Sequence, residues 1–146
     1  MNTSPKWRAT VAGWPLILLL LPGCGQDAAV KLAPVTGRVI FKNEAVSAAE
    51  IYFNPDAKAG NRGEMGSALL GQDGSFTITT AGPKGPRDGV VPGAYKVTLG
   101  LGRRNEKGLA PFKTVQTTTL TIEVPEQGLR DIVVDLDKGR IELTSP

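Results

Sequence analysis

Seven short stretches of this chain alternate apolar and polar residues with a period of two, the spacing of a half-buried strand. Val35, Val39 and Phe41 share one face of the first stretch, and Ile51 and Phe53 share one face of the second. Next comes Leu69-Leu70-Gly71-Gln72-Asp73-Gly74-Ser75-Phe76-Thr77-Ile78. Asp73-Gly74 reads as a two-residue hairpin loop, because a type I′ turn needs φ > 0 at both central residues. Glycine accepts that freely and aspartate better than most. That register sets Gln72 opposite Ser75 and places Leu69, Gly71, Phe76 and Ile78 on the core face, with Leu70 on the other. Pro92-Gly93 is a second turn, feeding Tyr95, Val97, Leu99 and Leu101. Leu120, Ile122 and Val124, then Ile132, Val134 and Leu136, complete the set. No window carries a helix period. The expected fold is all-β: a seven-stranded antiparallel β-sandwich over residues 35–137, with 138–146 as a C-terminal tail.

The connections sharpen this picture. Lys42-Asn43-Glu44 reads as a turn, and Asn54-Pro55-Asp56 as a strand stop. Three long loops follow, at Ala57 to Gly66, Thr80 to Val91 and Gly102 to Thr118. If every strand runs antiparallel to its predecessor in sequence, the loops alternate between the two ends of the sandwich. Residues 57–66, 80–91 and 125–130 then share the end at which Val35 enters. Residues 42–44, Asp73-Gly74 and 102–118 share the opposite end.

Composition supports one domain with a real core: 146 residues, Gly 18 and Pro 11, with aromatics at 5%. The formal charge of +3 is partly carried by Lys6 and Arg8, ahead of the folded region, so the remainder is nearly balanced. No clustered basic stripe is present, which argues against nucleic acid as a partner. The chain has no histidine and a single cysteine. Imidazole general bases, Ser-His-Asp and Cys-His arrangements, and an internal disulfide are therefore excluded.

The cysteine's position gives it a reason. Residues 1–8 carry two positive charges and no negative ones, and Ala9 to Leu21 is an apolar run of thirteen residues. That length suits a signal peptide and is short of the roughly 20 residues a membrane-spanning helix needs. Leu21-Pro22-Gly23-Cys24 follows and resembles the lipobox of bacterial lipoproteins. An ordinary secretory signal cleaved nearby, or an uncleaved anchor, are the alternatives. The lipobox resemblance implies a signal peptide over residues 1–23, cleavage between Gly23 and Cys24, and a lipid on the Cys24 thiol. A thiol-linked diacylglycerol brings two acyl chains, enough for stable attachment. Gly25, in place of an inner-membrane Asp, implies the outer membrane of the cell envelope. Residues 24–34 are small and polar, a tether.

Gly37-Arg38-Val39, Ala45 to Phe53, Asp73-Gly74-Ser75-Phe76-Thr77-Ile78 and Pro92-Gly93-Ala94-Tyr95-Lys96-Val97 together resemble carboxypeptidase regulatory-like domains. These are transthyretin-like (prealbumin-like) β-sandwiches found in bacterial envelope proteins and short lipoproteins. The chain departs from the pattern where Ala48 stands in place of a glycine before the second strand. The resemblance implies an accessory module, not a peptidase, and no cofactor.

Residue chemistry adds little beyond this. Asp131, Asp135 and Asp137 with Glu123 suggest a Ca²⁺ site, but strand spacing spreads such carboxylates, so a solvated face is the favoured reading. Both tryptophans, Trp7 and Trp14, lie in the leader, which weakens a sugar-stacking role. Arg103, Arg104 and Lys107 make the 102–118 loop basic and the candidate partner contact, one that salt would weaken. The expectation is a non-catalytic, lipid-anchored envelope protein whose sandwich serves structure or protein contact. The alternative is a module binding glycan or a small molecule.

Overall fold

Lys42 and Asn43 are the two residues that make a two-residue hairpin loop here, with φ of 54° and 62°, joining Phe41 to Glu44 across the ladder. They join the first two of the eleven strands found among the residues that the computed structural model describes, residue 1 and residues 30–102 and 108–144. Six of the strands fall on the alternating stretches: β1 (Val35–Phe41), β3 (Glu50–Pro55), β5 (Ser75–Thr77), β8 (Gly93–Gly100), β9 (Thr121–Val124) and β10 (Leu129–Asp135), whereas β4 (Gly66–Leu69) shares only Leu69 with its stretch and begins at the end of the expected 57–66 loop. Four short ones were not expected: β2 (Glu44–Ala45), β6 (Thr79–Thr80), β7 (Arg87–Asp88) and β11 (Arg140–Glu142). They have two or three residues each, too few to show a period.

The strands form two sheets. One has the order β11-β10-β1-β2, with β5 also pairing β1, and the other has the order β7-β6-β4-β3-β8-β9. Not every pairing is antiparallel. β1 and β10 lie parallel, with Gly37 opposite Ile132 and Ile40 opposite Asp135. The direction of the chain does reverse from one long strand to the next, as expected. Neighbours in a sheet need not be neighbours in sequence, however, and β1 and β10 are both outward runs.

The Asp73-Gly74 register is corrected by one residue. Gly71 N donates to Ser75 O at 2.8 Å and Gly74 N to Gly71 O at 3.0 Å, closing a three-residue loop over Gln72, Asp73 and Gly74. Of these, Gly74 alone has a positive φ, 76°. Asp73 is held instead through its side chain: Oδ1 accepts from Ser75 N at 3.1 Å and from Ser75 Oγ at 2.6 Å. Because side chains alternate with period two, the slip exchanges the two leucines. Leu70 is 8% exposed and in the core, while Leu69 is 75% exposed. Moreover, β4 and β5 belong to different sheets, so this loop carries the chain across the end of the sandwich.

The core lies between the sheets. Ile51, Phe53, Tyr95, Val97 and Leu99 face Val35, Val39, Phe76, Ile132 and Val134, all buried. The Phe53 ring spans the layers, with its centre 6.4 Å from Phe76 and 5.9 Å from Tyr95. Burying a side chain of this size contributes about 1.5–3 kcal/mol. Gly37 permits the close approach of β1 and β10, since a Cβ there would overlap Ile132 O and the Phe76 ring.

Both boundaries extend beyond the expected ones. Ala33 is fully buried and exchanges backbone hydrogen bonds with Val90 at 2.7 and 3.0 Å, so the sandwich begins inside the expected tether. At the other terminus β11, within the expected tail, pairs with β10, Ile141 opposite Val134.

Candidate functional site

Three segments gather where Ala33 enters. Gly63 lies against Val91, Gly93 lies against Asn61, and Leu129 N donates to Pro34 O at 2.8 Å. The loops over 56–65, 81–92 and 125–128 therefore share the Ala33 end, as strand alternation predicts. The opposite end collects the Lys42-Asn43 turn, the 71–75 loop and the start of the 108–118 segment. Val39 N donates to Gly74 O at 2.9 Å there, and Gly108 faces the Phe41 ring.

Of the site residues expected from sequence, Gly23, Cys24, Arg103, Arg104 and Lys107 lie outside the described residues. Gly102 and Gly108, which flank the three cations, sit at the far end. The rest of that loop is not a solvated excursion. Leu109 and Phe112 are buried, at 1% and 4% exposure, Phe112 within the 3₁₀ turn Ala110–Lys113. They fill the far end together with Leu70, Leu101 and Leu136.

The acidic residues do not act together. Asp135 is buried at 3% exposure, and its Oδ1 accepts from the N–H groups of Asp137 and Lys138, both at 3.1 Å. Its Oδ2 lies 2.9 Å from Lys138 Nζ. Burial pushes its carboxyl upward, but the Lys138 ammonium and those two amides outweigh it and hold it below the usual range. Asp131 is the extra residue of a β-bulge, where β1 advances from Val35 to Gly37 while β10 advances from Leu129 to Ile132. It adopts φ 54° and donates its N–H to Thr36 Oγ1 at 3.2 Å. Asp137 is exposed, and among the described residues no three His, Cys, Asp or Glu side chains converge as a metal ion would need.

Tyr95 is a core residue whose hydroxyl donates to Val91 O at 2.7 Å, and burial raises its pKa. Tyr52 sits on the outer face of the six-stranded sheet, near enough to Gly100 that a Cβ there would press on its ring. Its hydroxyl donates to the Glu50 carboxylate, and that hydrogen bond raises its pKa.

A hollow of about 440 Å³ at the Ala33 end was not visible in sequence. Val30, Val91 and Pro92 give it apolar walls, with Arg62 and Glu64 lining it from the 56–65 loop and Arg87 from β7. Asn61 holds the first loop in place: Nδ2 donates to Ala94 O at 2.9 Å, and Oδ1 accepts from Gly63 N at 2.9 Å. Arg87 approaches Glu64 at 3.8 Å, both side chains well exposed, a geometry worth at most about 1 kcal/mol. Asn61 lies between Gly60 and Gly63 in a polar stretch, so nothing in the pattern marks it as buried. No helix among the described residues is long and apolar enough to cross a membrane. Comparison with family models, with curated proteins and with solved structures found no match for this chain.

Proposed function

We propose that this chain is a non-catalytic, lipid-anchored protein of the bacterial cell envelope whose β-sandwich serves structure or protein contact. The observation that carries the reading is the position of Cys24, three residues past the end of the apolar run at Leu21 and nine residues before Ala33, where the fold begins. At roughly 3.3–3.6 Å per residue, nine residues keep Ala33 within about 30 Å of a lipidated cysteine. The resemblance to carboxypeptidase regulatory-like domains stays part of the proposal. Two features support it: Phe76 and Ile78 point inward, and Ala48, standing where that family has glycine, has φ 53°.

Partner contact is assigned to the far end, where Gly102 and Gly108 flank Arg103, Arg104 and Lys107. A glycan-binding reading would rest on Tyr52 and Phe41, both only half-exposed and on different sheets, so protein contact is preferred. Cys24→Ala should abolish incorporation of labelled lipid and leave an unprocessed or soluble species; undiminished labelling would overturn the anchor. Arg103→Glu combined with Arg104→Glu should reduce crosslinking to any captured partner. Unchanged capture would remove the loop from the proposal.

A further inference from the structure

Exposed apolar side chains are unevenly placed on this sandwich. Within residues 30–144 the large ones are Val30 at 56% exposure, Met65 at 49%, Leu69 at 75% and Leu143 at 61%. Leu69 is at the far end, opposite Glu50 and next to the core-bound Leu70. The other three are at the Ala33 end. Val30 walls the hollow lined by Arg62 and Arg87. Met65 immediately precedes β4, whose first residue pairs with Thr80. Leu143 lies beside Gln127, Gly128 and Leu129, the turn that touches Pro34. Isolated exposed apolar residues need no explanation. Three of four at the end nearest the proposed anchor do.

Cations accompany them. Arg62 and Arg87 open from the hollow, and Lys31 and Lys84 are exposed on the adjoining segments. Carboxylates are present at this end too: Glu64 lines the hollow itself and lies 3.8 Å from Arg87, a loose and exposed pairing that a phosphate would have to displace, and Asp88 is nearby, so it is not a uniformly basic face. What distinguishes it is the combination of apolar tips with guanidinium groups over a shallow apolar floor. Such a surface matches the boundary layer of a bilayer. There apolar tips enter the acyl edge, while Arg and Lys reach phosphates along their own methylene stems.

Resting on the lipid-anchor reading, we infer that the Ala33 end docks directly on the membrane. Val30, Met65 and Leu143 contact the interface, and a phosphate of an anionic phospholipid occupies the hollow between Arg62 and Arg87. The chain length supports this occupant, because nine residues from Cys24 bring Ala33 to within about 30 Å of the bilayer at most. Docking then holds the far end, with its basic loop, away from the surface.

The test uses the full chain reconstituted in vesicles of phosphatidylcholine, with or without phosphatidylglycerol, and followed by hydrogen–deuterium exchange. Phosphatidylglycerol should slow exchange in peptides over 58–65 and 82–92 and leave 70–75 and 136–140 unchanged. Arg62→Glu with Arg87→Glu should reduce that protection by at least about fivefold, roughly the factor one cation near an anionic surface is worth. Both side chains are exposed, so the variant should keep its melting temperature, and Met65→Asp provides a second variant with the same expected loss. Intact mass of the same sample reports lipid on Cys24. Lipidated, vesicle-bound protein without protection at the Ala33 end overturns docking and leaves the anchor standing. Absence of lipid on Cys24 overturns the anchor, while phosphatidylglycerol-dependent protection in that sample still supports docking. Protection confined to the far end, or equal protection in both lipids, overturns docking.

Discussion

The two ends of the sandwich are closed by different means. At the Ala33 end the best-buried ties between loops are uncharged polar side chains that reach backbone groups, beside the exposed Asp56 carboxylate that accepts from Lys58 N at 3.0 Å and the loose Arg87–Glu64 pair. Asn61 bonds Ala94 O and Gly63 N, the Tyr95 hydroxyl bonds Val91 O, and Thr80 Oγ1 donates to Gly89 O at 2.7 Å. At the far end an apolar plug does the work: Val46, Leu70, Leu101, Leu109, Phe112 and Leu136 are all buried. Polar pins fix the path of the backbone with little bulk, leaving a hollow open beside them. A plug fills the space between the sheets instead. The hollow lined by Arg62 and Arg87 lies at the pinned end.

This contrast predicts an order of mutational costs. Phe112→Ala should be the most expensive change, about 3–5 kcal/mol, because it opens a cavity in the plug; chemical denaturation measures it. Asn61→Ala should cost less, about 1–3 kcal/mol, by leaving Ala94 O and Gly63 N without their partner. It should also speed exchange locally over residues 56–65. A larger loss for Asn61→Ala than for Phe112→Ala would reverse the contrast.

Acid should act on the ends unequally as well. Asp135 is depressed in the fold, so its contribution is present above its unfolded value of about 3.9 and is lost as pH falls through the lower, folded one. Its partner Lys138 is raised, mainly by hydrogen bonds to Asp135 and then Glu142. That contribution is present below the unfolded value of about 10.4 and is lost as pH rises through the folded one. The pair should therefore be indifferent to pH near neutrality. Protection factors at the β10–β11 turn, exchange rates taken relative to the free amide at the same pH, should fall below about pH 4, whereas Asn61, Thr80 and Tyr95 at the other end carry no charge to lose. Equal acid sensitivity at both ends would blur the distinction.

The smallest effect is a gain. Ala48 adopts φ 53° at the far end, a left-handed conformation that costs a non-glycine residue about 1–2 kcal/mol. Ala48→Gly relieves that strain but gives the unfolded chain more freedom, so a net stabilisation of about 0.5–1 kcal/mol is expected. A rise in melting temperature would confirm it. Destabilisation would show that the methyl group packs usefully.

The alternating stretches were legible in the chain because burial on one face of a strand writes itself into every second residue. Ile51 and Phe53, Tyr95 to Leu101, and Ile132 to Leu136 all face inward as that pattern requires. The end shared by the three loops was legible too, since it follows from the reversal of direction between successive strands. Sheet membership was not legible. Period two says which side of a strand is buried but not which strand lies beside it, so the parallel β1–β10 pair emerged only with the tertiary fold. The 71–75 loop was decided in the same way. Asp73 could supply a backbone conformation or a side-chain acceptor, and the crossing between sheets selected the acceptor, moving Leu70 inward and Leu69 outward. The hollow at the Ala33 end belongs to the same class. Val30, Arg62 and Arg87 are far apart in sequence, and only the packing of separate loops around a buried Asn61 brings them together.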